Sequence, residues 1–114
     1  MGIEENKALV HRLLVDVFCG DVNKLDDYVA EDFVDHSKIG NREGLRKVVT
    51  EYQAAFSPSC TIERMIGEED EVAVAARFTL RRKGAPDKSF SVTSIYRIAR
   101  GKVVEAWPHS DYFF

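Results

Sequence analysis

A chain of 114 residues with 45% apolar and 31% charged side chains has the size and mixture of one folded domain spanning residues 1–114, which excludes a disordered or low-complexity polypeptide. Its formal net charge of −3, with acids and bases interleaved, excludes the gathered basic face that nucleic-acid binding requires. No stretch approaches the roughly 18 apolar residues of a membrane span, and the acidic start MGIEENK is unlike a secretory signal. The expected setting is therefore cytoplasmic, with no membrane partner. Cys19 and Cys60 lie far apart, without metal-type spacing, and read as reduced core thiols.

Helical periodicity comes first. Leu9, Val10, Leu13, Leu14 and Val17 recur at three- and four-residue spacing and predict one amphipathic helix, with Gly20 as its stop. Asp21 or Asn23 is placed to cap a short second helix carrying Leu25, Tyr28 and Val29. A third helix is expected over 41–56, with Asn41 as N-cap, Leu45, Val48, Val49, Tyr52 and Phe56 on its buried face, and Pro58 beyond its end.

After Pro58 the period changes to two. Segments 60–66, 72–82, 89–99 and 103–109 read as four strands, broken at GEED, KGAPDK and RG. Helices followed by a meander predict an α+β fold, one curved antiparallel sheet with helices over one face. The basic run Arg81-Arg82-Lys83 falls beside Gly84 and Pro86 and reads as a solvated hairpin tip.

The Arg100-Gly101 pair predicts a two-residue hairpin loop, which sets Ala99 opposite Lys102. Counting on from there, Tyr96 meets Glu105, Ser94 meets Trp107, Val92 meets His109 and Phe90 meets Asp111. Trp107, His109 and Asp111 stand two residues apart and share one strand face. In this register that face also carries Phe90, Val92, Tyr96 and Ile98, so it is the face the helices cover. The opposite face, with Thr93, Ile95, Val104 and Ala106, is left as a flat apolar patch that predicts a homodimer through the convex side of the sheet.

The strings YVAEDFVDHS, IERMIGEEDEVAVAARF and SIYRIARGKVVEAWPHSD together make the chain resemble the SnoaL-like polyketide cyclase family of the nuclear-transport-factor-2-like superfamily, over nearly its whole length. The resemblance implies a cone-shaped sheet wrapped around N-terminal helices, with a pocket at the wide end. It implies that Asp111, matching an aspartate on the last strand after the tryptophan, is a general acid/base, and that His36 lines the pocket. It also implies pairing of subunits through the convex side. The β-hairpin TLRRKGAPDKSF departs from the family, lacking its Gly-Thr-His-x-Gly and longer loop, and fewer residues follow the terminal aspartate. Both departures touch the pocket mouth and argue against a bulky polycyclic substrate.

Proton abstraction beside a carbonyl needs a base and a donor or apolar cradle for the enolate. The expected catalytic set is Asp111, His109 and His36, and the expected ligand-binding wall is Trp107, Phe33, Phe56, Phe90 and Val92. The expected activity is a cofactor-free lyase or isomerase acting on a small apolar or carbonyl-containing molecule. The alternatives are a binding module and a dimerising scaffold of the same fold. His36, His109 and Asp111 could supply a facial metal set, but nothing in their spacing favours one, and no metal is expected.

Overall fold

The apolar stripe of the N-terminus forms helix α1 (Ile3–Arg12), with Asn6, Leu9 and Val10 buried. The computed structural model describes residues 2–111. After Arg12 the helix widens into a π-helical segment, Leu13–Phe18, which buries Leu13, Leu14 and Val17. The N–H groups of Cys19 and Asp21 reach back five residues to the carbonyls of Leu14 and Asp16. Gly20 ends the run for a steric reason, since a Cβ there would stand 2.3 Å from the Asp16 carbonyl oxygen. Asp21 then caps a 3₁₀ turn (Val22–Lys24), accepting from the Asn23 N–H at 3.0 Å, and the one-turn helix α2 (Leu25–Tyr28) follows.

Helix α3 (Arg42–Ala55) starts as expected: the Asn41 side chain accepts from the Gly44 N–H at 2.9 Å. It stops one residue short of the predicted end, because Phe56 is already extended and leads into β2 (Ser57–Glu68). Pro58 is the second residue of that strand, at the sheet edge, where its missing N–H is tolerated. Near the end of α3, the Tyr52 hydroxyl donates to the Phe18 carbonyl, and Gln53 Nε2 donates to the carbonyls of Val17 at 2.7 Å and Phe18 at 3.0 Å. These bonds supply partners for carbonyls at the end of the π-helical segment and tie it to α3.

The sheet is completed by β3 (Glu71–Arg81), β4 (Lys88–Ala99) and β5 (Lys102–Ser110), together with a strand the sequence pattern did not reveal, β1 (Val29–Asp35). Its order is β1-β5-β4-β3-β2, open and curved. Every neighbouring pair is antiparallel except β1 with β5, which is parallel, so the sheet is mixed where a wholly antiparallel one was expected. The α+β architecture itself stands. Alternating burial along β3, with Val72, Val74, Ala76, Phe78 and Leu80 inside, shows that the helices cover one face.

The β4–β5 hairpin turns at Arg100 (φ 53°) and Gly101 (φ 74°), as a two-residue loop with positive φ at both positions should. Ala99 pairs with Lys102 and Ile98 with Val103, as counted from the sequence. A β-bulge then intervenes, and Arg97 pairs with Glu105. The extra residue on β5 turns every later side chain to the other face. Ile95 lies opposite Trp107, Thr93 opposite His109 and Tyr96 opposite Ala106. The expectation that Trp107, His109 and Asp111 face the helices is overturned; Ala106, Pro108 and Ser110 take that side instead.

Candidate functional site

A cavity of about 100 Å³ opens between α3, the end of the π-helical segment and the concave face of the sheet. Its wall is mostly apolar: Phe18, Phe33, Val49, Phe78, Phe90 and Val92 contribute rings and branched chains. Phe78 and Phe90 stack, with ring centroids 5.5 Å apart and planes 9° apart. For scale, an engineered apolar cavity of roughly 150 Å³ accepts benzene, and drug-sized ligands occupy about 300–1,000 Å³. At about 100 Å³ the pocket is smaller than both.

Polar groups enter at few points. Asp35, at the end of β1, is 6% exposed and lines the cavity. Period-two alternation puts Phe33 and Asp35 on the inner face of β1, and pairing of Asp35 with Ala106 of β5 sets its depth. Asp35 Oδ1 accepts from the Ser37 N–H at 2.8 Å and from the Ser37 hydroxyl. Among the described residues nothing donates to its other oxygen, Oδ2. One oxygen is thus held by a local turn while the other remains available to a ligand.

Tyr96 and Tyr52 also line the cavity. Burial pushes the Tyr96 phenol from 10.0 up to about 12; the nearby Ser94 hydroxyl opposes the rise, and the Asp35 carboxylate adds to it. The phenol therefore keeps its proton at neutral pH and is a hydrogen-bond donor beside an acceptor. Burial raises Tyr52 as well, with the charges of Cys19, Tyr96 and Cys60 contributing, but its hydroxyl is already committed to the Phe18 carbonyl.

The residues expected from the sequence divide between two places. Phe33, Phe90 and Val92 line the cavity. Phe56 does not; it is half-buried, with the Arg82 guanidinium 5.3 Å and the Lys88 ammonium 5.5 Å from its ring centroid. His36 follows Asp35 and so points to the outer face, where its ring stacks on Trp107 with centroids 5.0 Å apart and planes at 6°. His36 Nε2 and Glu105 Oε2 are hydrogen-bonded at 2.5 Å, Arg97 donates to Glu105 Oε1 at 2.8 Å, and the Arg97 guanidinium sits 5.3 Å from the Trp107 ring centroid. Glu105 therefore lies opposite Arg97 in an outer polar cluster, not inward opposite Tyr96 as counted. His109 is exposed, and Asp111 is exposed with Oδ1 accepting from the Ser91 N–H at 2.8 Å. His36, His109 and Asp111 do not converge, and no group of three metal-ligating side chains gathers among the described residues. The pocket carboxylate is one residue away from a predicted site residue. The Phe-x-Asp spacing at Phe33 and Asp35, in a stretch with Val29 and Val34, was the signal that could have found it.

Helices over one face of a curved open sheet, with an apolar cavity that Asp35 alone among the described residues lines with a carboxylate, define the nuclear-transport-factor-2-like α+β class of fold. The chain belongs to the SnoaL-like domain family, whose profile matches residues 10–106. Its fold is similar to that of IdmH from Streptomyces antibioticus, a candidate polyketide cyclase, at a TM-score of 0.77 and 23% identity over 93% of this chain and 91% of that one. It is also similar to TsrD from Streptomyces laurentii, at a TM-score of 0.82 and 18% identity over 97% and 91%. A third likeness is to an LEH-like epoxide hydrolase of M. tuberculosis, at 0.79 and 16% identity over 96% and 84%. At these identities the likeness is one of fold. No curated protein sequence matches the chain.

Proposed function

We propose that the cavity binds a small, uncharged carbonyl compound and that Asp35 moves a proton at the carbon beside its carbonyl group. The observation that carries this reading is a buried carboxylate with one free oxygen in an otherwise apolar cavity. In the reaction, Oδ2 takes a proton from the carbon next to the carbonyl and returns it at another position, which amounts to an isomerisation or the proton step of a ring closure or elimination. The Tyr96 hydroxyl, kept protonated by burial, supplies a donor for the developing enolate oxygen. The described wall presents no Lys, Arg or His, so an anionic substrate would meet a carboxylate with no counter-charge. The role expected of Asp111 thus falls to Asp35.

Asp35→Asn is the test. An asparagine oxygen can still accept from Ser37, so the turn and the cavity are expected to persist. NMR-followed deuterium exchange at the α-carbon of cyclohexenone is expected to fall by about 10²–10⁴-fold. Equal exchange in both proteins, with ligand binding intact, would leave the binding-module alternative in front.

The same reading includes a homodimer through the outer sheet face. Ile95 is 43% exposed there, beside Thr93 and Trp107, on the face that another copy would cover. Ala106, expected on that face from the sequence, faces the cavity. Light scattering at micromolar concentration should give twice the monomer mass.

A further inference from the structure

We infer that the cluster of His36, Glu105, Trp107 and Arg97, on the outer face of the sheet, positions the Asp35 carboxylate on the inner face. Only the catalytic consequence rests on the role proposed for Asp35. The need for an anchor lies in the pairing of β1. Its ladder with β5 is interrupted after Val29 and resumes at Val34 and Asp35, opposite Glu105 and Ala106. Just beyond, the chain leaves the strand for a turn over residues 36–39. The Asp35 N–H donates to the Gly40 carbonyl at 2.9 Å and Val34 bridges to Asn41, both across that turn. The Ser37 bonds to Asp35 Oδ1 are local too, so all of these would travel with the turn if it shifted. From His36 the main chain reaches β5 through one bond, its N–H donating to the Ala106 carbonyl at 3.0 Å.

Side chains on the outer face supply what the ladder lacks. Successive residues of an extended chain project to opposite faces, so holding His36 from outside holds Asp35 from behind. The His36 ring lies flat against Trp107 of β5, with centroids 5.0 Å apart and planes at 6°. Its Nε2 is bonded to Glu105 Oε2 at 2.5 Å. An ionised carboxylate only accepts, so Nε2 carries the proton, whether the ring is neutral or charged. Glu105 is itself held, because its Oε1 accepts from Arg97 of β4 at 2.8 Å. The Arg97 guanidinium also lies 5.3 Å from the Trp107 ring centroid and 3.7 Å from the Glu71 carboxylate at the start of β3. The imidazole is thus fixed in plane by a stack and in rotation by a hydrogen bond, and the chain of contacts continues over three strands. The β5 bulge is what turns Glu105 and Trp107 to this side. His36 is a positioning residue: it acts on the cavity through its neighbour and lines no part of it.

The test compares His36→Ala, Glu105→Ala, their double variant and His36→Phe with wild type and Asp35→Asn, all in the full chain. His36 is exposed, so its variants are expected to fold. By ¹⁵N relaxation the order parameter of the Asp35 amide should fall from about 0.85 towards 0.6 in both alanine variants. Their α-carbon exchange rate at saturating cyclohexenone, per folded molecule, should fall by roughly 10–10²-fold at an unchanged half-saturation concentration, as a displacement on the order of 1 Å would cause. A merely structural role would lower the urea midpoint and leave both readings in place. The double variant should be no slower than the worse single one, since either change releases the same anchor. His36→Phe, which keeps a flat ring against Trp107, should recover most of the rate. Where Asp35→Asn abolishes exchange, a wild-type saturated rate in His36→Ala overturns the inference, and so do losses that multiply in the double variant. Where Asp35→Asn exchanges as fast as wild type, the proposed role of Asp35 fails, and the Asp35 amide in His36→Ala decides the matter: lost order supports the positioning, and retained order overturns it.

Discussion

Ala106→Leu tests the cavity and the β5 bulge together. Ala106 is 1% exposed, stands opposite Tyr96 and lines the cavity of about 100 Å³. Leucine adds three carbons directed into that space. At about 0.8 kcal/mol for each buried carbon they contribute about 2.4 kcal/mol, offset by roughly 0.5–1 kcal/mol of side-chain entropy. The net expectation is stabilisation of about 1.5–2 kcal/mol. With a urea m-value of roughly 1–3 kcal/mol/M, the midpoint should rise by on the order of 1 M at unchanged m. The same substitution should abolish binding of cyclohexenone in an NMR titration. Without the bulge, residue 106 would face outwards, and the change would stay within about 0.5 kcal/mol of zero. An unchanged midpoint would therefore refute the register, and a loss of about 1–3 kcal/mol, the usual cost of overpacking, would refute the cavity.

Other outcomes follow from the same geometry. Tyr96 has a folded-state pKa of about 12 against 10.0, so its contribution to stability is complete below pH 10 and is lost as pH rises towards 12, by roughly 3 kcal/mol. Urea melts at pH 9 and pH 11 should show a smaller loss in Tyr96→Phe than in wild type; equal losses would dismiss the buried phenol as the cause. Asn41→Ala removes the α3 cap and should cost about 1 kcal/mol in denaturant titration. His109→Ala and Asp111→Asn, at exposed positions, should shift stability by no more than about 0.5 kcal/mol and leave α-carbon exchange unaltered, whereas a collapse of exchange in Asp111→Asn would restore the last strand as the catalytic wall.

Local chemistry in the sequence determined much of this protein. The spacing of Leu9, Val10, Leu13, Leu14 and Val17 specified a helix, Asn41 its cap on α3, and the alternation after Pro58 four strands. Arg100 and Gly101 specified the loop and the first two pairs of the hairpin. These features depend on neighbours within a few residues, so the chain alone carries them. Phe90 and Val92 were legible as pocket wall for the same reason, each in step with its own strand, whereas Phe33 lines the pocket from a strand the pattern did not reveal.

Tertiary structure decided the rest. β1 has only a seven-residue span, its register with β5 is interrupted between Val29 and Val34, and its partner lies some seventy positions away. No local pattern announces such a pairing. The bulge in β5 is likewise a product of packing, and with a period of two a single inserted residue exchanges inside for outside. That one residue carried Trp107, His109 and Asp111 to the outer face and brought Ala106, Pro108 and Ser110 to the cavity. It also puts Ala106, the residue paired with Asp35, on the cavity side, so that the carboxylate among the apolar rings is Asp35. Alternation says which side chains share a face; only the packed sheet says which face the helices cover.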